Sequence, residues 1–248
     1  MKSKYLVVTD NGPQYKAFIK MLEEKFPIEL SNFDFKKSAE SKIAKLYEED
    51  IKHLEIVNVK EDYQFLIDNY SIIFSLHCKQ IFPKELVTSV KCINIHPGYN
   101  PINRGWYPQV FAINYNLPIG ATIHEMDELV DHGGIIDRQL LEIKPWETSK
   151  EVYENILKLE IDLIEKNLLK ILDNAYTAYY DKDSKENFFT RQAYKNLCEI
   201  NLNETVTYGD AINRLRALSH GKYSNAYFID EKTKEKIFLN IVLKQTDQ

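Results

Sequence analysis

Short apolar runs and longer amphipathic stretches take turns from Tyr5 to Glu142. A strand covered on both faces needs an unbroken apolar run, and a helix lying on it needs one apolar stripe. Their alternation therefore implies an α/β layered domain around a mostly parallel sheet. The runs predict strands at Tyr5–Thr9, Glu29–Phe33, Glu55–Val59, Ile72–Leu76 and Cys92–Ile95, each ending at polar or breaker residues. Helices are expected over Gln14–Phe26, Ser38–Lys52, Glu61–Asn69, Pro83–Ser89 and Trp106–Asn114, several opened by Pro, Ser or Asp. Strands Ala121–Met126 and Ile135–Glu142 precede the longest helix, Ser149–Asn174, whose Val152, Ile156, Leu159, Leu163 and Ile164 share one face. The polar stretch Tyr179–Asn187 marks the boundary between a main domain, residues 1–178, and a small C-terminal module, residues 179–248. In that module Tyr208–Leu218 reads as a helix, and Asn225–Ile229 with Lys236–Leu243 as a hairpin around Asp230–Glu235.

A chain of 248 residues, 44% hydrophobic and 28% charged, is enough for one substantial core with an appendage. No apolar run approaches the ~18 residues of a membrane span, and the N-terminal MKSKYLVVTD lacks the long apolar region of a secretory leader. Cys78, Cys92 and Cys198 are odd in number and far apart, forming neither a disulfide framework nor a CxxC pair, so a cytoplasmic protein is expected. With a net charge of −5 and no Lys/Arg run longer than two, nucleic acid is not an expected partner. The eight glycines are too scattered to write a dinucleotide GxGxxG or a phosphate loop, which sets aside NAD enzymes and P-loop ATPases.

Polar residues of catalytic type gather in two segments, CINIHPGYNPINRGWYPQVFAINYN and GATIHEMDELVDHGGIIDRQ. Asn94 and His96 alternate with Ile93 and Ile95, so a two-residue period puts both on one side of a strand end. In open α/β sheets the ligand crevice lies beyond the carboxyl ends of strands, where these residues and the Pro97–Gly98 turn fall. Asp131, ahead of the Gly133–Gly134 turn, is placed to point a carboxylate back into that crevice. The three types are complementary: Asn donates to a developing oxyanion, His titrates near neutrality, and Asp orients and charge-stabilises an imidazole. Each also has a plain structural reading, as a hydrogen-bonded turn residue. His124 reads most simply as a core or ligand-lining histidine, and His53 and His77 carry no signal. His96, His124, Asp131 and His132 match no common metal-ligand spacing.

NIHPGYNPINRGWYP followed by GATIHEMDELVDHGGII resembles the formyltetrahydrofolate-dependent transferase family, over about Lys4 to Leu172. The resemblance implies a Rossmann-like formyltransferase domain with a mostly parallel sheet, plus a C-terminal helix and β-hairpin module for nucleotide contact or dimerisation. It implies 10-formyltetrahydrofolate as formyl donor and Asn94, His96 and Asp131 as the catalytic trio. It also implies that Leu76, His77, Cys78 and Lys79, with the loop Asp127, Glu128, Leu129 and Val130, hold the pterin. Where many relatives have Asp-x-Gly with a small or acidic last residue, this chain has Asp-His-Gly-Gly.

The acceptor is read from what surrounds these motifs. Residues 181–248 carry 11 Lys/Arg against 10 Asp/Glu, little counter-charge for the tRNA on which the longer methionyl-tRNA formyltransferases act. TDNGPQYK after the first strand is not the Gly-Ser-rich phosphate loop of the glycinamide ribonucleotide enzyme. That start and LRALSHGKYSNAYF in the tail look more like the sugar N-formyltransferases acting on dTDP-4-amino-4,6-dideoxyglucose or its 3-amino isomer, enzymes of surface polysaccharide synthesis. For such a substrate Arg104 and Lys79 are expected at the diphosphate, and Asn103, Gly105, Trp106 and Tyr107 around the hexose. Asn11 and Tyr99 complete the acceptor set, and Phe188, Phe189 and Tyr223 are expected to stack on the base. The tail aromatics equally suit the core of a homodimer. A hydrolase releasing formate from the same folate, and a non-catalytic dTDP-sugar binding module, are the alternatives.

Overall fold

The computed structural model describes residues 4–39 and 48–245. The chain runs β1 (Tyr5–Thr9), α1 (Gly12–Lys25), α2 (Pro27–Leu30), β2 (Phe33–Ser38), α3 (Glu48–Ile51), β3 (Glu55–Val57), α4 (Tyr63–Asn69), β4 (Ile72–Leu76), α5 (Lys84–Ser89) and β5 (Lys91–His96). It continues through β6 (Arg104–Gly105), α6 (Pro108–Tyr115), β7 (Ile119–Glu125), β8 (Ile135–Leu141) and α7 (Ser149–Leu172). The last part comprises β9 (Phe188–Phe189), α8 (Arg191–Cys198), α9 (Tyr208–Leu218), β10 (Ser219–His220), β11 (Tyr223–Ser224), β12 (Ala226–Ile229) and β13 (Lys236–Leu239).

Among the described residues seven strands form one sheet in the order β3-β2-β1-β4-β5-β7-β8. The first five are parallel, and β7 runs antiparallel to β5. The expected α/β fold with a mostly parallel sheet is what forms. β12 and β13 pair antiparallel as the expected hairpin.

Two expectations in the first forty residues need correction. The strand expected at Glu29–Phe33 is not there: Pro27, whose fixed φ suits a first helical turn, opens α2, and the strand begins at Phe33. The reason is a period-2 aromatic pair. Phe33 and Phe35 both pack on Phe18 of α1, at 5.9 and 6.1 Å between ring centres, and pull the following residues into extended pairing with β1. The helix expected at Ser38–Lys52 fails at its start, because Ser38 closes β2 and gives both its N–H (2.9 Å) and its hydroxyl (2.6 Å) to Asp10. Its middle, residues 40–47, lies outside the described residues, while Glu48–Ile51 is helical.

The chain packs as two compact units, neither continuous in sequence. One comprises Met1–His96, Ala121–Gln139 and Leu159–Lys182; the other comprises Pro97–Gly120, Leu140–Lys158 and Asp183–Gln248. A core of the first gathers Leu6, Val8, Leu66, Ile73, Leu86 and Cys92. The core of the second joins Val110–Ile113 of α6, Val152 and Ile156 of α7, and Leu197, Leu218 and Ala226 from the tail.

Candidate active site

The catalytic candidates all belong to the first unit, and strand register assembles most of them. Antiparallel pairing sets Asn94 of β5 opposite His124 of β7, and His96 opposite Thr122. Directly opposed residues share a face of the sheet, so four polar side chains meet there. The loop after β7 then brings in Asp131. Asn94 Nδ2 donates to Asp131 Oδ1 at 3.1 Å, and the same oxygen lies 3.5 Å from His96 Nδ1 and 3.8 Å from His124 Nε2. Asp131 itself has a φ of 52°, a left-handed conformation that Asp tolerates better than most residues.

His124 is 1% exposed, and its hydrogen bonds define its tautomer. Nδ1 donates to the Glu125 carbonyl at 2.6 Å, which leaves Nε2 to accept from Asn94 Nδ2 at 3.1 Å. Burial pushes its pKa below the ordinary histidine value, against the pull of the Asp131 carboxylate, in keeping with a neutral ring. Both amide hydrogens of Asn94 are thus engaged, one on the carboxylate and one on the imidazole. His96 is different. It is 5% exposed, and its Nε2 is buried with no hydrogen-bond partner among the described residues. Leaving a buried polar atom unpaired costs about 1–3 kcal/mol, so the nitrogen gains from any ligand that pairs it.

Residues 32–168 match the formyl transferase family, and residues 193–245 match the N-formyltransferase dimerization C-terminal domain. The chain belongs to the formyl transferase family. The transferase is 39% identical over 75% of its length to the dTDP-4-amino-4,6-dideoxyglucose formyltransferase of Mycobacterium tuberculosis, of which it covers 79%. It is similar throughout to a sugar N-formyltransferase structure from Shewanella, with a TM-score of 0.91, 36% identity and 100% of both chains covered. A 4-N formyltransferase structure from Francisella tularensis matches with a TM-score of 0.87 at 40% identity, covering 98% of this chain and 99% of that one.

The pterin candidates of the transferase are also in the first unit. Leu76 ends β4 and is buried, and the next residue, His77, turns left-handed with a φ of 59°. Its side chain faces inward, with Nε2 2.8 Å from the fully buried Glu160, whose carboxylate also takes a hydrogen bond from Gln14. Lys79 gives its backbone N–H to Asp10 at 2.7 Å, and the Cys78 thiol reaches the Gln80 carbonyl at 3.8 Å. In the other loop Glu128 pairs with Lys84 at 2.8 Å, while Leu129 and Val130 are exposed. His132, one of the four residues of the metal reading, is turned onto Asp127.

The acceptor candidates divide between the units. Asn11 and Lys79 lie in the first, and the Asn11 carboxamide is buried, its oxygen capping α1 through Gln14 N–H at 3.2 Å. The rest lie in the second. Tyr99 closes a turn by accepting from Ile102 N–H at 2.9 Å. Asn103 (φ 59°), Gly105 (φ 95°) and Tyr107 (φ 52°) are all left-handed, which folds the loop back so that Arg104 and Gly105 pair in parallel with Phe188 and Phe189. Asn103 is held by Asn187 and Pro118, each at 2.7 Å, and Arg104 reaches Glu186 at 2.6 Å while its Nε is buried and unpaired among the described residues. The Arg191 guanidinium stands 5.4 Å from the centre of the Trp106 ring, and Tyr107 packs on Tyr194 at 4.2 Å. Arg104, Gly105 and Phe188 are therefore one cluster. Tyr223 stands on the β10–β11 hairpin with Lys222 over its ring. Sequence reasoning missed β9 and α8, whose Phe189 and Tyr194 buttress this loop. Thr190 capping Ala193 N–H, followed three residues on by apolar positions, was the available signal.

Proposed function

We propose that the chain moves a formyl group from 10-formyltetrahydrofolate to the amine of a dTDP-linked amino-dideoxy sugar, dTDP-4-amino-4,6-dideoxyglucose in the first instance. The observation that carries this reading is the convergence of Asn94 and His96 on one carboxylate oxygen of Asp131, with His96 Nε2 buried and unpaired among the described residues. The folate, when bound, supplies an activated formyl carbon. This chain's residues position it and handle charge and protons. Asp131 holds His96 by Nδ1, so in its neutral form the imidazole presents a lone pair at Nε2 to accept the proton that the attacking amine gives up. Asn94 Nδ2 is the neutral donor for charge developing on the formyl oxygen, releasing one of its two present contacts as it does so. The backbone of Leu76–Lys79 and the loop Asp127–Val130 are our assignment for the pterin.

For the acceptor, support comes from the named specificity of the mycobacterial relative and the near full-length likeness to sugar N-formyltransferases. In the second unit we assign the diphosphate to Arg104, the hexose to Asn103, Gly105, Trp106 and Tyr107, and the base to Phe188. Residues 179–248 form the module for dimerisation, supported by the dimerization-domain match. Cys78, Cys92 and Cys198 are all free thiols, and no helix among the described residues is long and apolar enough to cross a membrane. We assign the enzyme to the cytoplasm, where reduced thiols persist, and to surface polysaccharide synthesis as the use of a formylated dTDP-sugar.

The test is incubation of the purified chain with 10-formyltetrahydrofolate and a panel of dTDP- and UDP-linked amino sugars, read by mass spectrometry. One formyl unit is expected on dTDP-4-amino-4,6-dideoxyglucose; formate release with every sugar unchanged would assign a hydrolase instead. In the same assay His96→Asn should lower turnover by about 10²–10⁴. A near-normal rate would remove His96 from the chemistry.

A further inference from the structure

The loop that delivers Asp131 is closed by His132, which the proposed reaction does not use, on Asp127, where the segment assigned to the pterin begins. Asp127 spends both carboxylate oxygens on it: Oδ1 accepts from Leu129 N–H at 2.9 Å, and Oδ2 accepts from His132 Nδ1–H at 2.7 Å. A carboxylate in this role only accepts, so the proton of that contact belongs to His132. Asp127 and His132 thus bracket Asp131, whose backbone is left-handed with a φ of 52°. Such a conformation costs most residues with a Cβ about 1–2 kcal/mol, and although Asp bears it more readily it is held best where the surroundings impose it. The exit of the loop is fixed as well, since a Cβ on Gly133 would lie 2.0 Å from the Glu125 carbonyl oxygen. Between a fixed exit and the capped turn at Leu129, the His132–Asp127 bond is a side-chain clamp across the residue that must point its carboxylate at Asn94 and His96.

We infer that His132 is a positioning residue: through Asp127 it fixes the turn that aims Asp131 at Asn94 and His96. This rests on the reading of those three residues as the catalytic trio. The two side chains are 40% and 35% exposed, so their pair contributes little to global stability. Its effect is on the aim of one carboxylate, and an error of about 1 Å at a reacting group can cost as much as 10²-fold in rate.

The experiment compares His132→Ala, His132→Asn and Asp131→Asn, with kcat, both KM values and Tm measured for each. His132→Asn restores an N–H donor at the position of Nδ1. We expect His132→Ala to lower kcat about tenfold with unchanged Tm and unchanged KM for the amino sugar, and His132→Asn to recover most of that loss. Wild-type kcat in His132→Ala, or a loss that His132→Asn does not restore, overturns the inference. So does a loss that merely follows a fall in Tm. Asp131→Asn separates the two levels. If it is inactive while His132→Ala is normal, only the clamp is wrong; if it turns over normally, the trio itself fails and the clamp with it.

Discussion

At Gly133 a side chain has nowhere to go: a Cβ there would sit 2.0 Å from the Glu125 oxygen and 2.7 Å from its carbonyl carbon. The obstacle is backbone of β7, which cannot rotate aside. Gly133→Ala should therefore shift the loop or the strand and cost about 1–3 kcal/mol, seen as a lower urea midpoint, with formylation falling further than stability. A variant as stable as the parent would show that this loop has slack. The sequence marks the Gly-Gly pair as a turn, and period-2 spacing is enough to bring Asn94 and His96 to one side of a strand. What spacing cannot reveal is His124 meeting Asn94, because that contact depends on which residue of β7 faces which residue of β5. The same limit applies to His132: its partner Asp127 is five residues away, and neither helix nor strand periodicity brings them together.

Among the elements, α6 shows how much of the second unit depends on short pieces. Its Phe111 is 1% exposed and stacks on Phe189 of β9 at 4.0 Å with the rings 6° apart, inside the core that takes Val152 from α7 and Leu218 from α9. Phe111→Ala should cost about 3–5 kcal/mol by opening a cavity and removing a stacked pair, measured by thermal or urea unfolding. A loss under about 1 kcal/mol would mean that the core collapses around the gap. The long buried strands β1, β4 and β5 and the helix α7 are legible because each has a clear apolar period. β9 is two residues long, and its partner β6 is distant in sequence, so no local pattern announces it. β2 misleads because Ile28 and Leu30, two residues apart, look strand-like, while the aromatics that fix the strand lie a few residues on.

For the whole molecule, pH should report burial in both units. Burial pulls the pKa values of His124 in the first and His220 in the second below their ordinary value of 6.5, with Asp131 and Glu154 respectively opposing it. Above that value neither folded nor unfolded chain binds these protons, and the stability is complete. As the pH falls through 6.5 the unfolded chain takes up protons that the folded one refuses, so stability drops toward the lower folded values. Tm should thus decline between pH 7.5 and 5.5, and His220→Asn should flatten part of that slope. A Tm that is level or rises over this range would contradict the buried neutral rings.

The second unit draws on three separated stretches of chain, with Val110–Ile113, Val152 and Ile156 covered by Leu197, Leu218 and Ala226. Exchanging tails between relatives to change acceptor preference is therefore not a clean cut. A hybrid joined near residue 183 would set a foreign tail on a resident α6 and on the start of α7, and misfit there would look like altered specificity. The portable piece is a mosaic of Pro97–Gly120, Leu140–Lys158 and everything from Asp183 onward, and recombination within this family should succeed where all three travel together.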